Sequence, residues 1–282
     1  MKLVIGTAGW RMPYGAIQKG FLSKGQIEEI LEVADQNYIS SIDTSPDYGD
    51  AESIIGQCFW KRDIATKIVF SDESEIYLEE KLRQSMERLR VDALDVVFIH
   101  NWDDLHQSQK TRAYKFLREM KTIGVVRDIG ISTYSLIAIK TILSSKMRDM
   151  VIQFNMNILD QRVLEFESDE WRNRLLESQI RLWGRSIFLQ GVLLDSSSNN
   201  PFSTHPDLKR FWEHCLSTGS NPYEVCLSFP RQLGYVDAIV VGINSKKEMH
   251  EIVRCISKPP TNVELFSFAS TDPTLTDPRR WK

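Results

Sequence analysis

Leu94-Asp95-Val96-Val97-Phe98-Ile99-His100 is a short run that is apolar at successive positions rather than at alternate ones. A run of this length, apolar on both faces, suits a strand of a parallel sheet covered by helices on each side. Seven further runs read the same way: Leu3–Thr7, Ile39–Asp43, Ile64–Val69, Arg127–Ser132, Val151–Asn155, Ile180–Ile187 and Ala238–Ile243. The segments between them carry helical spacing. Gln26–Asn37 places Ile27, Ile30, Leu31 and Ala34 on one face, and Leu78–Leu89 does so with Leu78, Leu82, Ser85, Met86 and Leu89. Tyr114–Lys121 and Leu136–Leu143 behave similarly. Eight βα units in roughly 250 residues give an α/β chain of the (β/α)8 TIM-barrel type. A doubly wound sheet is the alternative, but Gly6-Thr-Ala-Gly9 lacks the GxGxxG spacing usual after its first strand. No linker divides the chain, so residues 1–282 read as one domain, with an irregular strap from about Pro259. Ser196–Pro206 reads as a polar loop, and Pro230 predicts a kink or break in the helical stretch Tyr223–Leu233.

Composition narrows the function. The 282 residues are 42% hydrophobic and 26% charged, ample for a large core. A net charge of −3 and a pI near 6.0 favour neither nucleic acid nor an anionic membrane surface. Cys58, Cys215, Cys226 and Cys255 show no paired short spacing and read as reduced thiols, not as a disulfide frame or zinc site. The opening run is too short for a signal peptide, and no stretch approaches ~18 consecutive apolar residues. The expectation is a cytoplasmic protein with a small-molecule substrate, either a monomer or a weak homo-oligomer.

Four polar residues fall where a barrel keeps its chemistry, at the carboxyl ends of strands. Asp43 ends the second run, Lys67 lies near the end of the third, His100 ends the fourth, and Tyr48 sits in the loop after the second. A carboxylate, an amine, an imidazole and a phenol can reduce a carbonyl when a hydride donor is near. The amine lowers the phenol's pKa, the carboxylate holds the amine, and the imidazole orients the substrate oxygen. Each residue alone has a plainer reading, as a polar strand end, a buried structural amine, a strand cap or a loop aromatic. Their recurrence on successive βα units favours the functional one. Further along, Ser132, Thr133 and Gln153 are positioned to hydrogen-bond a carboxamide such as that of nicotinamide. Arg185 could lie against a flat ring, with Ser186 and backbone to Gly191 near phosphates. The helix start at Ser245 is an anion site, or simply a capping box with Glu248. The histidines and cysteines have no metal-ligand spacing, so no metal is expected, and neither a nucleophile elbow nor a P-loop is present.

In this order the residues resemble the aldo-keto reductase superfamily along the whole chain. Gly6-Thr-Ala-Gly-Trp-Arg-Met-Pro-Tyr-Gly15 is similar to its opening segment, and Asp43-Thr-Ser-Pro-Asp-Tyr48-Gly49 with Glu52 and Gly56 to its signature. Ser85–His100, Gln153–Asp160 and Val241–Ser245 follow in the right places. Gln153–Asp160 and Phe188-Leu-Gln-Gly191 suggest a bacterial branch linked to sugar metabolism. The resemblance implies a barrel binding NADP(H) or NAD(H), with Tyr48 as general acid, Lys67 and Asp43 as its tuning pair, and His100 as substrate orienter. It implies cofactor contacts from Gly6, Thr7, Ala8, Asp43, Ser132, Thr133, Gln153 and Arg185. Phosphates would lie near Ser186, Phe188, Gly191, Gly242, Asn244 and Ser245, and Glu251 would reach the adenine.

Four positions depart from the family pattern. Thr133 and Ile252 stand where relatives carry asparagine, Arg185 where a stacking tyrosine is common, and Glu248 where an arginine grips the 2′-phosphate. The choice between NADP(H) and NAD(H) stays open. Trp10, Arg11 and Trp102, with Tyr48 and His100, would give a partly aromatic substrate pocket. The expected activity is reduction of an aldehyde, ketone or sugar carbonyl. The rivals are a cofactor-binding redox sensor or partner subunit with little turnover, and a barrel aldolase or isomerase using Lys67 as a Schiff base.

Overall fold

In a computed structural model describing residues 1–16, 20–58, 63–261 and 265–281, eight parallel strands close into a barrel in chain order. They are β1 (Lys2–Gly6), β2 (Ser41–Asp43), β3 (Asp63–Ile68), β4 (Leu94–Ile99), β5 (Val126–Thr133), β6 (Val151–Asn155), β7 (Arg181–Arg185) and β8 (Ala238–Gly242). The ring closes where β1 pairs with β8, from Lys2 opposite Ala238 to Gly6 opposite Gly242. Every run read from the sequence as a strand is one, with ends shifted by a few residues at most.

The continuous apolar character of the runs has a direct cause, since each strand is covered on both faces. Side chains alternate across a strand. Val4, Ala65, Val96, Phe98, Val151, Trp183, Ala238 and Val240 form a separate inner cluster that fills the barrel, with the Phe98 and Trp183 rings 5.6 Å apart. Their neighbours, among them Ile5, Ile42, Ile64, Val97, Ile129, Ile152, Leu182 and Ile239, belong to the outer core under the helices.

The helices are α1 (Lys24–Gln36), α2 (Ala51–Gln57), α3 (Glu75–Leu89), α4 (Gln107–Thr122), α5 (Leu136–Leu143), α6 (Asp169–Ser178), α7 (Pro206–Thr218), α8 (Pro222–Gln232) and α9 (Lys246–Ile256). Ser23 and Gln26 make a capping box that starts α1, and Ser74 caps α3. Glu52 of the signature segment is structural. Buried in α2, it accepts from the Thr66 hydroxyl at 2.6 Å and the Arg88 guanidinium at 2.8 Å, tying α2 to β3 and α3. Gly56 allows that packing, because a Cβ there would meet the Arg88 carbonyl at 2.1 Å.

The polar loop lies where expected, and the expectation at Pro230 is modified. The polar stretch from Ser196 is followed by a whole extra helix, α7, with Pro206 in its first turn, where proline is favoured. Helix α8 is not broken at Pro230 but runs two residues past it to Gln232. The proline falls in the last turn, where losing one backbone donor interrupts little of the ladder.

The C-terminal segment includes α10 (Pro273–Thr276) and returns over the carboxyl ends of the strands. Ser270 N–H donates to the Leu159 carbonyl at 2.9 Å, and the Asn155 amide donates to that of Thr276 at 3.4 Å. Among the described residues no helix is long and apolar enough to cross a membrane.

Candidate active site

Following the inward-facing positions up each strand leads to one place. On β3 the inner ladder runs Ala65, Lys67; on β4 Val96, Phe98, His100; on β6 Val151, Gln153; on β7 Trp183, Arg185; on β8 Val240, Gly242. Gly6, Asp43 and Ser132 complete the ring from β1, β2 and β5, and all eight residues line a cavity of about 670 Å³ at the carboxyl mouth. The period-two alternation that packs the barrel thus delivers one inward residue per strand to the cavity floor.

Lys67 and Asp43 are almost completely buried, with side chains 3% and 5% exposed, and pair at 2.6 Å. The ammonium also donates to the Thr44 carbonyl at 2.8 Å, and Gln153 donates its amide to the second Asp43 oxygen at 2.9 Å. With two of its three N–H donors taken, Lys67 lies 5.0 Å from the centre of the Tyr48 ring. Tyr48 comes from a turn after β2, its N–H donating to the Ser45 carbonyl at 3.0 Å. The Tyr48 and His100 rings meet edge to face, 6.5 Å between centres.

The phenol of Tyr48 is pushed well above its usual range. Burial is the main cause, Asp43 adds to it, and Arg185 opposes. The expected lowering by Lys67 is not what dominates: burial decides the direction, and the Asp43 carboxylate, 2.6 Å from the ammonium, reinforces it.

Gly49 fixes the turn that presents Tyr48. Its φ is +63°, and a Cβ there would meet the Arg11 carbonyl at 2.5 Å. Arg11 is itself pinned, donating to Asp50 at 2.5 Å and to the Leu22 carbonyl at 2.7 Å. Gly49→Ala is therefore expected to destabilise the fold by about 1–3 kcal/mol, the scale of enforced backbone strain. Urea unfolding checks this; an unchanged midpoint would show that the turn relaxes freely.

Several residues expected at the site line the same cavity: Thr7, Ala8, Ser186, Phe188, Gly191 and Asn244 join those already named. Others do not. Trp10 is fully buried with its indole N–H on the Ile243 carbonyl at 2.7 Å, and Trp102 is 2% exposed, so the expected aromatic pocket wall is core. Arg11 is held by Asp50, outside the lining. The Thr133 hydroxyl donates to Asp103 while accepting from Ser135 N–H at 2.9 Å, so it organises a loop rather than facing the cavity. Ser245 caps α9, its hydroxyl accepting from Glu248 N–H at 3.1 Å. The other half of the expected capping box is not formed. Glu248 instead accepts from Asn244 N–H at 2.7 Å and lines the cavity, where burial raises its pKa. Glu251 is bound by Asn221 and Arg254, outside the cavity, and Ile252 is fully buried in the core.

Asp47, Tyr134 and Arg279, none of them an expected site residue, also line the cavity. Asp47 makes a 3.1 Å contact with Nδ1 of His100. Tyr134 lies between two guanidinium groups, Arg185 at 3.9 Å and Arg279 at 4.0 Å from its ring centre. Arg279 arrives from the C-terminal segment, so only the folded chain brings it to the mouth. Asp47 was the one with a visible signal, an acid beside Tyr48.

A family model described as the aldo/keto reductase family matches residues 2–266. The chain belongs to the aldo-keto reductase family. It is 28% identical over 204 residues to a D-arabinose 1-dehydrogenase of Saccharomyces cerevisiae, an alignment spanning 64% of this chain and 59% of that protein. It is 30% identical over 148 residues to an aldo-keto reductase of Bacillus subtilis, covering 47% and 44%. Each of these alignments spans less than two thirds of the relative. Among solved structures, a holo-form aldo-keto reductase from Bacillus halodurans superposes with a TM-score of 0.72 at 20% identity, covering 99% of this chain and 95% of that one. A glycerol dehydrogenase from Gluconobacter oxydans superposes with a TM-score of 0.69 at 17% identity, covering 94% and 89%. At those identities the likeness speaks to the aldo-keto reductase barrel alone.

The aldo-keto reductase cofactor is a nicotinamide dinucleotide, and the cavity can be tested for its fit. Arg185 Nε is buried without a hydrogen-bond partner, its other donors reaching only Ser186 and Thr133 at 3.5 and 3.4 Å. Ser186, Leu189 and Gln190 all hold positive φ, strain of a kind that clusters at binding sites, and the turn ends at Gly191. At Gly242 an added Cβ meets nothing within 4 Å, so protein packing does not demand the glycine there. An under-satisfied cation, a strained turn and unfilled space along one wall fit a flat, anionic, elongated group.

Proposed function

We propose that this chain is a nicotinamide-dependent carbonyl reductase. The observation that carries the reading is the convergence of Tyr48, the buried Lys67–Asp43 pair and His100 on one cavity. When bound, the dihydronicotinamide supplies the hydride. Tyr48 donates its proton to the oxygen of the carbonyl being reduced, and the raised phenol keeps that proton available through the neutral range. The remaining donor of Lys67 stabilises the phenolic oxygen as it gains charge, while Asp43 and Thr44 hold the ammonium in place. His100 binds the substrate oxygen from the other side.

Ser132, Gln153 and Arg185 would hold the nicotinamide end, and the Ser186–Gly191 turn and the wall at Gly242 and Asn244 the phosphates. The substrate is read as a small carbonyl compound without negative charge, because Asp47, in contact with His100, and Asp104 both line the cavity and disfavour an anion. A turnover panel of aldehydes, ketones and hydroxyaldehydes with each dinucleotide tests the assignment. No turnover of any carbonyl would refute it.

Glu248 points to NAD(H) over NADP(H). Its carboxylate lines the cavity where a 2′-phosphate would need a cation, and it can accept from ribose hydroxyls instead. Glu248→Arg is expected to raise kcat/KM with NADPH relative to NADH by about 10-fold or more, through a charge-assisted contact. An unchanged ratio would show that α9 does not reach the adenosine ribose.

A further inference from the structure

We propose that Asp47 is a positioning residue: it accepts a hydrogen bond from Nδ1 of His100 and so makes the imidazolium the form of His100 that donates to a substrate carbonyl. This rests on the assignment of His100 to the substrate oxygen and deepens it. The inference starts from one turn of chain. Ser45 donates its hydroxyl to Asp47 at 3.4 Å and accepts from the Asp47 N–H at 3.2 Å, while its carbonyl receives the Tyr48 N–H at 3.0 Å. The turn that aims the phenol therefore also aims a carboxylate, and that carboxylate reaches Nδ1 of His100 at 3.1 Å.

The consequence follows from donor counting. The Asp47 carboxyl is held below its usual range, first by the hydrogen bond to His100, so it is ionised at neutral pH. An ionised carboxylate only accepts, and therefore Nδ1 carries a proton. In a neutral ring the other nitrogen, Nε2, is then an acceptor and offers nothing to a carbonyl oxygen. It donates only once the ring is doubly protonated, with Asp47 as counter-charge.

The other charged groups around the mouth do not reproduce this role. Lys67 is neutralised by Asp43, and Tyr48 touches His100 only edge to face. Asp103 is engaged by Thr133 and by Tyr134 N–H, and Arg185 lies over Tyr134. Asp104 lines the same cavity, but no ion pair joins it to His100. Arg279 is bound to Asp277 at 2.8 Å.

The test compares wild type with Asp47→Asn and Asp47→Ala. Either replacement frees the neutral ring to carry its proton on Nε2 and to donate while uncharged. Wild-type kcat/KM for reduction should exceed that of both variants by about 10-fold near pH 6, since a charge-assisted bond is roughly twice as strong as a neutral one. The advantage should shrink and then reverse as pH rises, because the neutral wild-type ring keeps its proton on Nδ1 and has none on Nε2 to donate, whereas the variants' neutral ring does. A second readout needs no turnover. In ¹⁵N spectra of the apo-protein at alkaline pH, His100, identified by its loss in His100→Gln, should be protonated on Nδ1 in wild type and should shift toward Nε2 in both variants.

A wild-type advantage that stays constant with pH, or a tautomer unmoved by the variants, would overturn the proposal while leaving the reductase assignment standing. A wild type that turns over no carbonyl would overturn both.

Discussion

Tyr48→Phe is expected to lower kcat for carbonyl reduction by ~10²–10⁴-fold, the usual contribution of a general acid. The substitution removes one oxygen and keeps the ring, so the edge contact with His100 survives. Dinucleotide affinity, read by fluorescence quenching, should change little. The pH dependence follows from the raised phenol. A group pushed above its ordinary value stays protonated through the neutral range, so loss of the Tyr48 proton should not limit reduction there. Alcohol oxidation needs the phenolate and should climb with pH instead. A Tyr48→Phe protein that keeps near wild-type kcat on its best substrate would remove the phenol from the chemistry and favour a cofactor-binding role with little turnover.

Strand residues and loop residues differ in how much of their placement the sequence reveals. The strands were legible because each is buried on both faces, so apolar residues occupy successive as well as alternate positions along its run. Lys67, His100, Gln153 and Arg185 stood out because an inward ladder of Ala65, Phe98, Val151 and Trp183 ends abruptly in a polar side chain. Position along a strand thus predicts position in the cavity.

Loop residues follow no such rule. Trp10 and Trp102 sit in mouth loops by sequence, yet burial of their large apolar rings turns both into the core. Thr133 looks like its neighbour Ser132 in a list of polar strand ends. Alternation sends the two side chains to opposite faces, and only Ser132 reaches the cavity. Arg279 could not have been placed at all, since its approach to Tyr134 depends on how the C-terminal segment crosses the mouth. The hydrogen-bond partner of Glu248 is likewise set by the folded loop. The capping-box pattern pointed its carboxylate at Ser245 N–H, whereas it turns to Asn244 N–H one residue earlier.

Lys67→Met should damage both stability and catalysis, and a second substitution should separate the two. The change leaves the Asp43 carboxylate almost fully buried with its cation gone and only Gln153 still donating to it. Breaking a buried pair from one side typically costs about 3–5 kcal/mol, because the remaining charge is uncompensated. Adding Asp43→Asn removes that charge while keeping an acceptor for the Gln153 amide, so the double variant should regain most of the lost stability. Activity should not return with it. Without the ammonium, nothing stabilises the Tyr48 oxygen as it gives up its proton, and kcat should stay down by ~10²-fold or more. Combining Lys67→Met with Tyr48→Phe should add little further loss, since both residues serve one proton transfer. Urea unfolding and kcat at saturating dinucleotide, measured on the same preparations, decide the matter. If Asp43→Asn restores activity together with stability, Lys67 matters only as the partner that makes Asp43 tolerable in the core.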